Sequence, residues 1–314
     1  MRLAVLIQFH ADPLLVHNRA RLVRALEPEV NVYGSFGGPE HLYDALGAPL
    51  RALLRPWIDD VFCVRGRTSF WKRSHTDLAV CDWYRGIGHT FDFDALAVLQ
   101  WDLLLLAPLS KLYSGVPKGA VGVTALAPLE AVSDRWPWLR YDGWRGQLES
   151  LQEHLEREHG YRGEPSASLG PGAFLPRAFL EEYAALDVPE LCHDEVRLPL
   201  YARALGFDVV DNGFRDRWFD PEEERMFNAD KHPISRSVVR AELERSDGRR
   251  VFHPYVRPFP LAEAGAHSAG KRNAFPDLIE RAGSSASRLA ALSRRSLRVA
   301  HRLVRRNESL PWPK

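Results

Sequence analysis

One carboxylate stands inside the most apolar stretch of the chain: Asp102, within Leu96 to Tyr113, LAVLQWDLLLLAPLSKLY. Burying a carboxylate in such a run is costly unless a partner compensates its charge. At the C-terminal end of a central parallel strand, where open α/β sheets place their sites, that partner can be a metal or a ligand. Four other groups of residues could bring chemistry to it. His10 lies just past a first apolar run and, like Gly34 to Gly38 after the second, could meet a nucleotide or simply close a turn. Lys72, Arg73 and His75 crowd the start of a helix over Leu78 to Arg85; cations at a helix N-terminus favour phosphate, and a solvated basic loop fits them equally. Asp194 and Glu195 open a helix continued by Val196, Leu200, Ala204 and Leu205, where acids stabilise the helix dipole by ~0.3–1 kcal/mol with or without catalysis. His253 follows Val251-Phe252 at a strand end, with His232 as its rival; a neutral imidazole suits Mn²⁺ better than Mg²⁺.

The elements that must position these residues follow from periodicity. Leu3 to Ile7 and Val30 to Tyr33 read as short strands buried on both faces. Between them Leu14 to Leu26 is an amphipathic helix, entered through Asp12 as cap and Pro13 at the first helical position. Val61 to Val64 is a third strand, and Ser74 with Asp77 resembles a capping box for the helix after it. Phe93 to Leu106 reads as one strand, so Gln100 and Asp102, two apart, share a side of it. Gly119 to Thr124 and Gly206 to Asp211 are further strands, and Leu148 to His159 is a helix ended by Gly160. Trp136, Pro137, Trp138, Tyr141 and Trp144 form either a sugar-stacking wall or core packing.

Composition excludes several classes. Lys and Arg number 42 against 41 Asp and Glu, so no global field draws the chain to nucleic acid. The longest apolar run is far short of the ~20 residues of a membrane span, and the N-terminus does not read as a secretory signal. Cys63, Cys81 and Cys192 are scattered without metal spacing, which fits three buried thiols in a reducing, cytoplasmic compartment, either free in it or facing the inner side of a membrane. Neither GxGxxG nor GxxxxGK[ST] follows the first strand. From Ser285 to Arg306 the chain carries seven arginines and no acid, with Leu289, Leu292, Val299 and Leu303 on a narrow stripe. Such a basic helix fits an anionic membrane surface, the main domain or a second copy of the chain.

The order strand, helix, strand, polar helix start, helix, then FDFDALAVLQWDLLLLAPL resembles the nucleotide-sugar half of a GT-A glycosyltransferase, family-2-like, with a degenerate D-x-D element. The resemblance covers about residues 1 to 260. It implies a mixed, mainly parallel α/β sheet flanked by helices: a nucleotide-sugar half at 1–125, an acceptor half at 126–260, and a linker with a basic helical tail at 261–314. It also implies transfer of a sugar from a nucleotide sugar to a hydroxyl of a glycan, lipid-linked or small-molecule acceptor. In its D-x-D element only Asp102 is acidic; Gln100 brings a hydrogen-bonding group without charge, and Trp101 lies between them. By the resemblance Asp102 holds a divalent cation, Mn²⁺ or Mg²⁺, and His253 completes its coordination. Gly172, in Ala167 to Arg177, passes the donor sugar, unless the Gly and Pro there only form a turn. Asp194 or Glu195 is then the base, and His10 and Lys72 contact the nucleotide. A non-catalytic nucleotide- or sugar-binding relative and a sugar-phosphate nucleotidyltransferase are the alternatives.

Overall fold

In a computed structural model, the structure describes residues 1–268 apart from 137, 139–142, 230 and 231. Pro137, Tyr141 and the basic tail therefore lie outside the described residues. The elements run β1 (Leu3–Phe9), α1 (Pro13–Leu26), β2 (Asn31–Phe36), α2 (Glu40–Leu54), β3 (Asp60–Cys63), α3 (Ser69–Ser74) and α4 (Thr76–Gly86). Then come β4 (Ala95–Gln100), β5 (Leu104–Leu105), α5 (Leu109–Leu112), β6 (Val121–Pro128), α6 (Leu129–Val132), α7 (Trp144–His159) and β7 (Ser166–Pro176). The last are α8 (Arg177–Ala185), α9 (Asp194–Ala204), β8 (Val209–Asp211), α10 (Pro221–Glu224), α11 (Arg236–Glu244), β9 (Val251–Phe252) and α12 (Leu261–Ser268).

The strands build a mainly parallel seven-stranded sheet in the order β3-β2-β1-β4-β7-β6-β8, and β5 pairs with β9 in a second, two-stranded sheet. Only β7 runs against its neighbours β4 and β6. The apolar runs are continuous because both faces are covered. Ala4, Leu6, Leu96 and Val98 point into one core with α4, α8 and α9, while Val5, Ile7, Ala97 and Leu99 point into the other with α1 and α2. Asp12 caps α1 as expected: its carboxylate accepts the Leu15 N–H at 3.1 Å, with Pro13 at the first helical position. After β9 the chain returns to α1, where the Asn18 side chain bonds both the N–H and the carbonyl of Phe259 at 2.9 Å. No helix among the described residues is long and apolar enough to cross a membrane.

Several local readings change. Phe93 to Leu106 is not one strand: β4 ends at Gln100, a turn closes through the Leu103 N–H to the Gln100 carbonyl at 3.0 Å, and Leu104–Leu105 joins the other sheet. Both halves are buried, so hydrophobicity does not mark the break, and Gln100 and Asp102 do not share one face of an extended strand. Ser74 and Asp77 form no capping box; the Ser74 hydroxyl bonds back to the Phe70 carbonyl, and Asp77 turns inward. The segment from Ala167 to Arg177 is not a turn but most of β7.

Gly172 shows why β7 needs a glycine there. Its φ is +92°, and a Cβ would meet the Phe214 ring at 2.6 Å. Its carbonyl accepts from the Tyr113 hydroxyl at 3.1 Å and the Asn212 amide at 2.7 Å. Gly172→Ala is expected to cost about 1–3 kcal/mol of stability, read from the urea midpoint, through backbone strain and the ring clash.

Candidate active site

The parallel strands deliver their C-terminal ends to one edge, and the chemistry-bearing residues gather there. Asp102 follows β4 directly. The pairing of β5 with β9 sets Leu104 opposite Phe252, and the Tyr255 N–H donates to the Asp102 carbonyl at 2.8 Å. This ladder carries His253 to Asp102 across 151 residues of sequence, with Nε2 to Oδ1 at 3.4 Å. The ring of His253 is fixed from behind, its Nδ1 lying 2.8 Å from the Asn228 carbonyl. A carbonyl only accepts, so Nδ1 carries the hydrogen, and in the neutral ring Nε2 presents a lone pair.

Asp102 Oδ1 and His253 Nε2 thus face each other, and neither has a hydrogen-bond partner among the described residues. Both side chains are mostly buried, with 17% and 10% of their surfaces exposed. Behind them sits the buried Arg19 guanidinium, which bonds the carbonyls of Tyr255 and Arg257. Burial pushes the Asp102 carboxyl up, but the charge that the His253 ring carries when protonated, with Arg19, outweighs it and holds Asp102 below the usual carboxylate range. Burial lowers Arg19 to about 10 against the opposing pull of Asp102.

This donor set fits a divalent cation. A hard carboxylate oxygen and an imidazole nitrogen lie 3.4 Å apart, and the Asn228 carbonyl fixes the ring, as metal-binding histidines require. The described residues hold no cluster of three or more His, Cys, Asp or Glu suited to a metal, so Asp102 and His253 would supply two ligands and leave the other positions open.

The acids at the start of α9 reach the same edge by way of β7. Gly170 lies beside the Gln100 side chain, and its N–H donates to Glu195 Oε1 at 2.9 Å. Ser168 donates to the Glu195 carbonyl at 3.0 Å. The Thr76 hydroxyl at the start of α4 donates to Asp194. Beneath them Thr76, Ser168, Gly170, Asp194 and Glu195 line a cavity of about 20 Å³, room for one water. His193 caps α9, its Nδ1 2.6 Å from Asp194 Oδ1 and 3.7 Å from Glu195 Oε2. Burial lowers the His193 pKa, and the two carboxylates more than reverse this, leaving it raised. Burial, with the negative charge of Asp194, pushes Glu195 up to about 7 against the pull of His193 and the Gly170 N–H.

The remaining sequence candidates are placed as follows. His10 and Trp101, after β1 and β4, meet edge to face at 5.4 Å. Lys72 lies within α3, ahead of the start of α4, and its ammonium donates to the Gly38 carbonyl at 3.2 Å. Gly172 packs under Phe214, and Gly170 is the glycine that stands between Gln100 and Glu195. The aromatic stretch divides: Trp136 is buried against Trp218, whereas half-buried Trp138 stacks on His193 at 4.0 Å, with Trp144 at 6.2 Å from the same ring.

The pair Asp77 and Arg197 was not read as a site from the sequence. Both are buried, and the Arg197 guanidinium forks onto the Asp77 oxygens at 2.9 and 2.5 Å, with the Tyr183 hydroxyl on Asp77 at 2.6 Å. The available signal was a charge inside an apolar run, Val196-Arg197-Leu198, the same signal that marks Asp102. Asp77→Ala should destabilise the protein by about 3–5 kcal/mol, measured by urea unfolding, because Arg197 is left buried and unpaired.

No family model matches the chain, and no curated protein does. Solved structures similar to it include the galactosyltransferase LgtC in complex with donor and acceptor sugar analogs, at 15% identity over 70% of this chain and 81% of that one, with a TM-score of 0.39. The mannosyltransferase PcManGT from Pyrobaculum calidifontis, in complex with GDP-Man and Mn²⁺, is similar at 9% identity over 67% of this chain and 54% of its own, with a TM-score of 0.35. The bifunctional glycosyltransferase WbbM is similar at 12% identity over 86% of this chain and 50% of its own, with a TM-score of 0.38. Each of the three similar structures thus carries a glycosyltransferase name.

Proposed function

We propose that this protein is a GT-A-type glycosyltransferase that moves a sugar from a nucleotide-sugar donor to a hydroxyl acceptor, using a divalent cation held by Asp102 and His253. The observation that carries the reading is the pair of buried atoms, Asp102 Oδ1 and His253 Nε2, facing each other at 3.4 Å without a hydrogen bond. That separation is too long for the charge-assisted hydrogen bond an imidazolium would make, ~2.7–2.9 Å. Adjacent octahedral ligands on bonds of ~2.1 Å stand ~3.0 Å apart, so a cation between these two atoms would draw them slightly closer. A bound Mn²⁺ or Mg²⁺ would neutralise the donor's diphosphate as it becomes the leaving group.

The chain's own residues do the rest. Asn228 keeps the His253 lone pair turned toward Asp102. Gln100 offers its amide to a ribose hydroxyl, and His10 with Trp101 flanks the nucleotide where β1 and β4 end. Glu195 takes the proton of the acceptor hydroxyl, a task for which a pKa of about 7 is suited. Asp194, anchored by Thr76, supplies the neighbouring charge that helps to keep the Glu195 pKa there. In this reading the nucleotide-sugar half is 1–125 and the acceptor half 126–260.

A screen of UDP- and GDP-sugars, with and without Mn²⁺ or Mg²⁺, tests the proposal by release of the nucleoside diphosphate. At least one donor should be turned over only when the cation is present, with EDTA abolishing the release. Metal-independent turnover, or no release from any donor, counts against it; binding without release indicates the non-catalytic relative, and diphosphate exchange with sugar 1-phosphate and a nucleoside triphosphate indicates the nucleotidyltransferase.

A further inference from the structure

Cys192 stands immediately before His193, Asp194 and Glu195, and its backbone is left-handed, with φ +61°. A side chain with a Cβ is strained there, so something must hold it. Its N–H donates to Gln147 Oε1 on α7 at 3.0 Å, and its carbonyl accepts from Arg197 Nη1 at 2.7 Å. The same Arg197 nitrogen binds the Leu191 carbonyl at 2.8 Å. Arg197 is itself immobilised, since its Nε and Nη2 are on the two oxygens of Asp77, next to Thr76, which grips Asp194. Four side chains, Gln147 from α7, Arg197 from α9 and Asp77 and Thr76 from α4, thus hold the turn and the carboxylate pair it leads into, Asp77 through Arg197.

We infer that Arg197 is a positioning residue: by holding the carbonyls of Leu191 and Cys192 it keeps the strained turn from relaxing, and so aims Asp194 and Glu195 at the acceptor. The inference rests on the proposal that Glu195 acts as base. A purely structural Arg197 would cost stability and leave each folded molecule fully active. A positioning Arg197 costs turnover in molecules that are fully folded.

The test separates these. Asp77→Leu, Tyr183→Phe and Arg197→Met together replace the buried ion network by apolar groups, an exchange that proteins tolerate well. A second variant adds Cys192→Gly, because glycine adopts positive φ without strain. Both are assayed as the full chain with Mn²⁺ and the UDP- or GDP-sugar that the wild type turns over, alongside circular dichroism and calorimetric titration of Mn²⁺. The first variant should fold, bind Mn²⁺ and the donor within about twofold of wild type, and lose about 100-fold in kcat, the scale of a ~1 Å misplacement. Adding Cys192→Gly should return about tenfold of that loss.

Gln147→Leu, on an exposed helix position, releases the turn from its other side without touching the core. It should lower kcat about tenfold at unchanged donor KM, and it answers the question even if the triple variant fails to fold. Wild-type kcat in a folded triple variant, an unchanged kcat in Gln147→Leu, or a kcat loss that Cys192→Gly does not reduce would each overturn the inference. A wild type without metal-dependent turnover instead removes the base assignment itself, which is a separate failure.

Discussion

Asp102→Asn is expected to leave the circular dichroism spectrum unchanged and to weaken Mn²⁺ binding by more than about 100-fold, with donor turnover lost in parallel. The magnitude follows from the ligand count. Altering a residue that merely orients a metal ligand costs ~10–100-fold in affinity, and Asp102 would be the one charged ligand of a two-residue set. Asparagine keeps the size of the side chain and the backbone bond from Tyr255, so the β5–β9 ladder survives. Arg19 keeps its carbonyl partners on Tyr255 and Arg257, so loss of the Asp102 charge does not strand it. His253→Ala should lower Mn²⁺ affinity in the same direction and remove the contact with Asn228. Titration calorimetry of both variants measures this directly, and wild-type Mn²⁺ affinity in Asp102→Asn would sink the site.

Glu195→Gln is expected to lower kcat by about 10²- to 10⁴-fold while leaving Mn²⁺ affinity intact, the range seen when a general base is removed. The pH profile gives the sharper test. Glu195 is pushed up to about 7 and acts when deprotonated, so wild-type kcat should rise with pH and level off above about 7. The residual rate of Glu195→Gln should lack that limb. Stability should move the opposite way. A carboxyl that ionises near 4.5 when unfolded and near 7 when folded holds its proton more tightly in the native state. Its contribution therefore falls as pH rises from 4.5 to about 7, and Glu195→Gln should flatten that slope in urea titrations.

What the sequence made legible depended on how local the cause was. Leu3 to Ile7 and Val61 to Val64 declare themselves as strands because burial on both faces leaves an unbroken apolar run. The start of α1 is equally local, with Asp12 and Pro13 adjacent. The break after Gln100 was invisible because Leu103 to Leu106 are as buried as Leu96 to Leu99, and the partner that draws them away, β9, lies far along the chain. Ser74 and Asp77 have capping-box spacing, but Arg197, 120 residues later, claims Asp77 with a charge that a helix-end N–H cannot match.

The site divides along the same line. The residue types of Asp102, His253, Asp194 and Glu195 could be picked out, since a carboxylate or imidazole among apolar neighbours stands out. Their mutual arrangement could not, because it depends on the Asn228 carbonyl, the Gly170 N–H and the Thr76 hydroxyl, groups with no signature of their own. Gly170 rather than Gly172 faces Glu195 because β7 is extended, so a displacement of two residues moves the contact along the strand and under Phe214.

The reversed direction of β7 bears on how this chain can be cut and recombined. Ala95 to Val98 are in register with Pro176 to Ala173, so the middle of the sheet is closed by a strand from the second half of the sequence. A fragment ending near residue 125 would expose the flank of β4, an apolar row with unpaired amides and carbonyls, which is a template for intermolecular pairing. Swapping the first half onto a different second half works only if the new piece brings a strand of the same polarity and length. Domain shuffling in this protein is thereby restricted to joints outside the β4–β7 seam.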